Sequence, residues 1–132
     1  MAINPSDFAV VAISLGDKPG CTEAELRTAV GRLYYSLFHV TFRKLIEIQE
    51  LGREPVYDVH TKVVKAVRQI KGSLGEQLDR LRMMRTQADY VLSPSDQDYR
   101  PQYGDWPKNY RDAKSIAVRI GPSLGSLARK QP

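Results

Sequence analysis

The sequence predicts an all-α protein, an antiparallel four-helix bundle with an additional short helix. Three observations lead there. Apolar residues recur at helical spacing along the chain, and no stretch alternates polar and apolar as a half-buried strand does. Thr22–Glu25 and Ser73–Glu76 both have the form of a capping box, in which a Ser/Thr and a Glu three residues on satisfy each other's exposed backbone N–H groups. The breaks between periodic segments are mostly short and rich in Gly, Pro and Ser, as connections between antiparallel helices are.

The first helix is expected over Ser6–Leu15, ended by "GDKPG". The second is the best marked. It starts at the Thr22–Glu25 box and runs to about Leu51, where Gly52 and Pro55 stop it. Leu26, Val30, Leu33, Leu37 and Val40 make one apolar stripe on it, and Tyr34, Phe38 and Phe42 make an aromatic one on another side. A helix apolar on two sides packs between neighbours. The third helix spans about Asp58 to Lys71, with Val59, Val63, Val67 and Ile70 on one face. The fourth opens at the Ser73–Glu76 box and runs to about Leu92, with Leu74, Leu78, Leu81 and Ala88 inward and "SPSD" after it. The polar, turn-rich stretch from Ser93 to Asp105 reads as a long loop. The last helix spans about Trp106 to Ile120, with Ala113, Ile116, Ala117 and Ile120 inward. Residues 1–120 then form a single domain, and 121–132, "GPSLGSLARKQP", read as a flexible tail.

Composition bounds the function. A chain of 132 residues with 42% hydrophobic and 27% charged residues suits one ordinary globular core. The single cysteine, Cys21, cannot form an internal disulfide, and no Cys/His cluster suggests zinc; both favour a reducing, cytoplasmic setting. The apolar run "FAVVAISL" is far too short to span a bilayer, and no basic residue precedes it as in a secretory signal, so no membrane association is expected. Twenty Lys and Arg against fifteen Asp and Glu give a net charge of +5, which permits a polyanionic partner without requiring one. No glycine-rich phosphate loop is present, which argues against an NTPase.

The segment "RLYYSLFHV" concentrates the chemistry. Arg32 and His39 lie seven residues apart. At about 100° per residue they differ by about 20° around the axis and so share one face, two turns apart. Ser36 lies between them, Glu25 and Arg43 fall near the same line, and Tyr35 lies beside it. Two readings are open. A bundle helix needs one stripe facing water, and Arg, Ser and His are ordinary occupants. Alternatively, Arg32 offers a planar fork of donors matched to phosphate oxygens, and His39 titrates near neutrality and can move a proton. That pair suits attack of a ribose 2′-hydroxyl on its own phosphodiester with no metal or cofactor. One such pair supplies only one proton carrier; a two-fold dimer would supply two. Ser36 lacks the nucleophile elbow and oxyanion loop of a serine hydrolase.

"AVGRLYYSLFHV", followed by "RTQADY" at Arg85 to Tyr90, resembles the HEPN domain, a small helical bundle of prokaryotic defence and toxin–antitoxin modules. The family hallmark is an arginine, four to six residues, then a histidine; Arg32 and His39 match with six between. "YYSLFH" is similar to the "YYAAFH" version often encoded beside a minimal nucleotidyltransferase, and "RTQADY" to its "RxxADY" element. The resemblance covers roughly Glu25 to Ile120. It implies a metal-independent endoribonuclease acting on RNA as a homodimer, with Arg32 and His39 of both subunits in one cleft, and a neutralising partner of nucleotidyltransferase type. Tyr35, Ser36, Arg43, Arg85 and Asp89 would support the site or contact RNA. The family also contains non-catalytic binding modules, which dock a nucleotidyltransferase or bind nucleotide or RNA. Some family toxins carry a tyrosine two residues after the histidine that receives adenylyl groups; here that position is Thr41.

Other residues admit two readings from sequence. His60 is either a surface residue opening a helix or a packing or cleft group. Arg85 and Asp89 either pair across one helical turn or orient the site from a neighbouring helix. Tyr35 and Tyr90 have the usual features of packing aromatics with a bonded hydroxyl. Tyr99, Tyr103 and Trp106, interleaved with Arg100 and Lys108, either stack bases or pin the loop to the bundle.

Overall fold

A computed structural model describes residues 4–52 and 57–129 of the chain. Five α-helices pack against one another, with no strand among the described residues, so the all-α class holds. None of these helices is long and apolar enough to cross a membrane.

Helix α1 (Pro5–Gly16) starts at Asn4, whose side chain accepts the Ser6 N–H at 3.1 Å, with Pro5 at the first helical position where its missing N–H costs nothing. Helix α2 (Glu23–Glu47) opens on the expected capping box. Thr22 Oγ1 accepts the Glu25 N–H at 3.2 Å and the Glu25 carboxylate accepts the Thr22 N–H at 3.0 Å. Lys18 also bonds Glu25, and chiefly through this contact the carboxyl is held down at about 2. The helix ends at Glu47, short of the expected Leu51. Gln49 takes a left-handed φ of 63°, and the Gln49 and Glu50 N–H groups return to the carbonyls of Ile46 and Leu45 at 3.0 and 2.8 Å. This is a Schellman closure with glutamine where glycine is usual, which the sequence does not advertise. Pro55, the expected stop, lies outside the described residues.

Helix α3 (Val59–Ile70) and helix α4 (Gly72–Tyr90) are joined by the single extended residue Lys71. The expected Ser73–Glu76 capping box does not form. Ser73 already lies inside the first turn, and Glu76 pairs with Arg68 Nε at 2.7 Å instead. The reason is the tight corner. A Cβ on Gly75 would stand 2.7 Å from the Arg68 backbone nitrogen, so α3 closes directly over Gly75 and α4 must begin early. After α4, the chain runs through a short 3₁₀ turn (Pro101–Tyr103) into helix α5 (Trp106–Gly125).

Helix α5 passes Ile120 and continues to Gly125, although Gly121, Pro122 and Ser123 read as breakers. Packing overrides propensity here. Leu124 and Leu127 extend the Ile116–Ile120 stripe, and both are buried. Pro122 forfeits only the bond to the carbonyl of Val118, an exposed residue that water can serve. The start of the expected tail is therefore part of the core; residues 130–132 lie outside the described residues.

Helix α2 touches all four other helices and is the centre of the bundle. One side chain on it ties two of them. Arg27 donates from one terminal nitrogen to the carbonyls of Gln87, Ala88 and Val91 at 3.1, 3.2 and 2.7 Å. Its guanidinium lies 4.5 Å from the centre of the Trp106 ring at the start of α5. Its Nε is 3.1 Å from Glu23. Arg27 thus caps the C-terminus of α4, where carbonyls run out of helical donors (the Gln87 carbonyl still accepts the Val91 N–H at 3.2 Å) and the helix dipole is negative. Replacing Arg27 with Ala is expected to lower the free energy of unfolding by about 3 kcal/mol, by loss of charged hydrogen bonds and ring packing. Arg27→Lys, with no planar fork, should recover only part of it. Urea denaturation of the three proteins measures both.

Candidate functional site

The expected strip on α2 is present at its ends and covered in its middle. Arg32 is exposed and His39 is half-buried. Phe8 of α1 lies against both: its ring centre is 5.8 Å from the Arg32 guanidinium and 5.8 Å from the His39 ring, with the two rings stacked. Tyr35 stacks on His39 at 6.2 Å, and Phe38 meets it edge-on at 5.3 Å. The imidazole is thus held in an aromatic nest. Burial, and then the positive charge of Arg43, pushes its pKa below the ordinary 6.5. His39 is therefore neutral at pH 7 and competent to accept a proton.

Ser36 does not belong to the open strip. It is 5% exposed, because Phe8 reaches the residues one turn to either side of it and α1 lies over that stretch of α2. Arg43, two turns beyond Ser36, lines a separate shallow pocket with Asn4, Val40, Lys44 and Glu47. Its influence on this site is the charge it places near His39. Glu25 belongs to the helix start, with Thr22 and Lys18. Thr41 is fully buried, and its hydroxyl donates to the Leu37 carbonyl at 2.6 Å. Where some HEPN toxins carry a modified tyrosine, this chain has a core residue.

The "RTQADY" element reaches the strip from α4. Arg85 donates to the Tyr35 hydroxyl at 2.6 Å, and its guanidinium stands 5.1 Å from the centre of the Tyr35 ring. Its Nε lies 2.9 Å from Asp89 Oδ2 but is not aligned as a hydrogen bond, so the charges hold that pair rather than a shared proton. Arg85 and Asp89 therefore pair across one turn and also brace the strip. Asp89, Tyr35, Arg32, Thr28 and Gly31 line a groove of about 250 Å³. The structure thus gathers Arg32, Tyr35, Asp89 and, through Tyr35, His39 and Arg85. Tyr90, expected as a packing aromatic, is 68% exposed, with the Arg85 guanidinium 5.4 Å from its ring centre.

His60 packs into the aromatic cluster rather than lying on the surface. Its ring is 4.4 Å from Phe38, and its Nδ1 is 2.6 Å from the Tyr34 hydroxyl. Burial and then the charges of Arg85 and Arg82 push its pKa below 6.5, Asp58 opposes them, and His39 adds to the lowering. Burial holds the fully enclosed Tyr34 hydroxyl well above its ordinary pKa. Tyr34 therefore keeps its proton and shares a hydrogen bond with a neutral His60.

In the 93–105 segment the pinning reading holds for Trp106, buried under Arg27, and for Tyr103, whose carbonyl accepts from the Asn109 amide at 2.8 Å. Two residues important to the site have little signature in the sequence. Phe8 is one letter of an undistinguished apolar run, and Arg27 offers only its spacing to Glu23, which reads as an ordinary surface pair.

No family model matches the chain, and neither a curated protein nor a solved structure is detectably similar to it. The likeness to HEPN domains rests on the Arg32–His39 and "RTQADY" residues.

Both imidazoles bind a proton less readily in the fold than in the unfolded chain. Their contribution to stability is complete above pH 6.5 and is lost as pH falls through 6.5 toward the lower folded values. The urea midpoint is expected to drop between about pH 7 and pH 5.5, above the range where carboxylates titrate. His60→Gln should flatten that drop.

Proposed function

We propose that this protein is a HEPN-type, metal-independent endoribonuclease, the toxin of a toxin–antitoxin or phage-defence module, and that it works as a homodimer. The observation that carries the reading is a neutral His39 and an exposed Arg32 set against the same Phe8 ring, beside a groove that Arg32 helps line. His39 takes the proton of a ribose 2′-hydroxyl, whose oxygen then bonds the adjacent phosphorus. Arg32 stabilises the charge that builds on the phosphoryl oxygens. The bond from phosphorus to the 5′-oxygen breaks, leaving a 2′,3′-cyclic phosphate and a 5′-hydroxyl. The leaving oxygen takes up a proton from the imidazolium so formed, directly or through water, which returns His39 to its neutral state; a second subunit would bring a second Arg32 and His39 to the cleft. Arg85 and Asp89 act through Tyr35 to hold the nest around His39. A nucleotidyltransferase-type protein is the proposed neutralising partner. The buried Thr41 argues against control by adenylylation at that position.

One observation favours a second reading. Phe8 separates Arg32 from His39 as much as it joins them, which suits a non-catalytic module that presents RNA or nucleotide to a docked nucleotidyltransferase.

Cleavage of single-stranded RNA in EDTA distinguishes the two. The ribonuclease reading expects cleavage by the wild-type chain and a loss of about 100-fold or more in His39→Ala, the usual worth of a general base. Arg32→Ala should lose a similar factor. Equal cleavage by wild type and His39→Ala would sink the assignment, and no cleavage by either would favour the docking module.

A further inference from the structure

A second concavity, of about 410 Å³, lies between the C-terminal half of α4 and the 93–105 segment. Its lining includes Arg82, Tyr90, Tyr99 and Arg100, with Asp98 as its acidic member. The groove is built rather than incidental. Gln87, 4% exposed, donates from its amide to the Asp98 carbonyl at 2.8 Å and accepts the Arg100 N–H at 3.2 Å. One buried side chain thus straps the segment to the helix and holds the groove open before any ligand arrives, which lowers the ordering cost of binding. The Arg100 side chain is exposed and forms no ion pair among the described residues. Arg82 is held by Asp79 at 2.9 Å and leaves part of its guanidinium at the surface.

The groove adjoins the Arg32 groove. Arg85 lies over Tyr35, which lines one, and over Tyr90, which lines the other, at 5.1 and 5.4 Å. With Arg85 on one face, the Tyr90 ring is still 68% exposed. An exposed aromatic ring in a groove that two arginines, Arg82 and Arg100, help line is the chemistry that takes up an unpaired base and its phosphates. A base within a duplex is already stacked and paired and cannot reach the ring.

We propose that this groove binds a nucleotide of single-stranded RNA next to the scissile bond, its base stacked on Tyr90 and its phosphates on Arg82 and Arg100. The proposal rests on the ribonuclease reading and extends it to the form of the substrate.

The test uses the His39→Ala chain, which leaves the probe intact, and a fluorescein-labelled single-stranded RNA of about twelve nucleotides, within the range of site sizes of single-strand-binding grooves. Anisotropy is read over a range of salt concentrations, and circular dichroism checks that each variant is folded. Adding Tyr90→Ala is expected to weaken binding about tenfold with little change in salt dependence. Adding Arg100→Ala should weaken it and reduce the slope of log K against log salt by about 0.7, the value for one phosphate contact on a single strand. An RNA duplex of the same length should bind more weakly than the single strand. If RNA binds the His39→Ala chain but neither added substitution changes affinity or slope, the groove is not a subsite and the ribonuclease reading stands. The same holds if the duplex binds as tightly as the single strand. If the wild-type chain cleaves no RNA and the His39→Ala chain binds none, the ribonuclease reading falls and the groove proposal falls with it.

Discussion

The bond from Arg27 to the end of α4 is the interaction on which the rest depends. A helix leaves its last carbonyls without partners, and α4 delivers three of its C-terminal carbonyls to one guanidinium on the central helix. That contact sets how far α4 slides along α2. Arg85, Asp89 and Tyr90 occupy the last turns of α4, close to the capped carbonyls, and Arg32 and Tyr35 lie one to two turns beyond Arg27 on α2. The Arg85–Tyr35 bond and the groove between Asp89 and Arg32 need this register. The same guanidinium covers Trp106, so the start of α5 is placed by it too.

Around that frame the aromatic residues tune the chemistry. Tyr35, Phe38 and Phe8 surround His39, and Tyr34, Tyr35 and Phe38 surround His60. Burial in such a nest makes a charged imidazole expensive, so both rings are neutral at pH 7. The charges that weigh most on these rings are cations, Arg43 on His39 and Arg85 and Arg82 on His60, and they push the same way, while Asp58 opposes them at His60. The cluster trades stability at mildly acid pH for a neutral base at pH 7. Tyr34 fixes His60 through a hydrogen bond to its Nδ1, and His60 packs beside the Phe38 and Tyr35 rings that touch His39.

The helices were legible because their signals are local. Thr22 and Glu25 cap α2, and the valine stripe of α3 is half or fully buried, with Val63 and Val67 fully so. What was not legible depends on partners distant in the chain. Gln49 closes α2 early through backbone bonds that need no glycine. Gly75 admits the body of α3 and forces Ser73 inside the helix, away from a capping position. Leu124 and Leu127 carry α5 past Gly121 and Pro122 because the core has room for them. In the site, the shared face of Arg32 and His39 followed from periodicity. That Phe8 would lie against both, burying Ser36 between them, required knowing where α1 packs. The link from Arg85 to Tyr35 joins residues fifty positions apart, and no helical spacing encodes it.

The chemistry assigned to Arg32 and His39 is internal attack by a ribose hydroxyl, and the ends of the cleaved RNA record it directly. The measurement is mass spectrometry of the products from an oligonucleotide, beside the same oligonucleotide with a single 2′-deoxy sugar immediately 5′ to the cleavage position. Internal attack predicts a 2′,3′-cyclic phosphate on one fragment, a 5′-hydroxyl on the other, and no cleavage at the deoxy position. A 5′-phosphate product, or undiminished cleavage at the deoxy sugar, would mean that water is the nucleophile and would contradict the role given to His39.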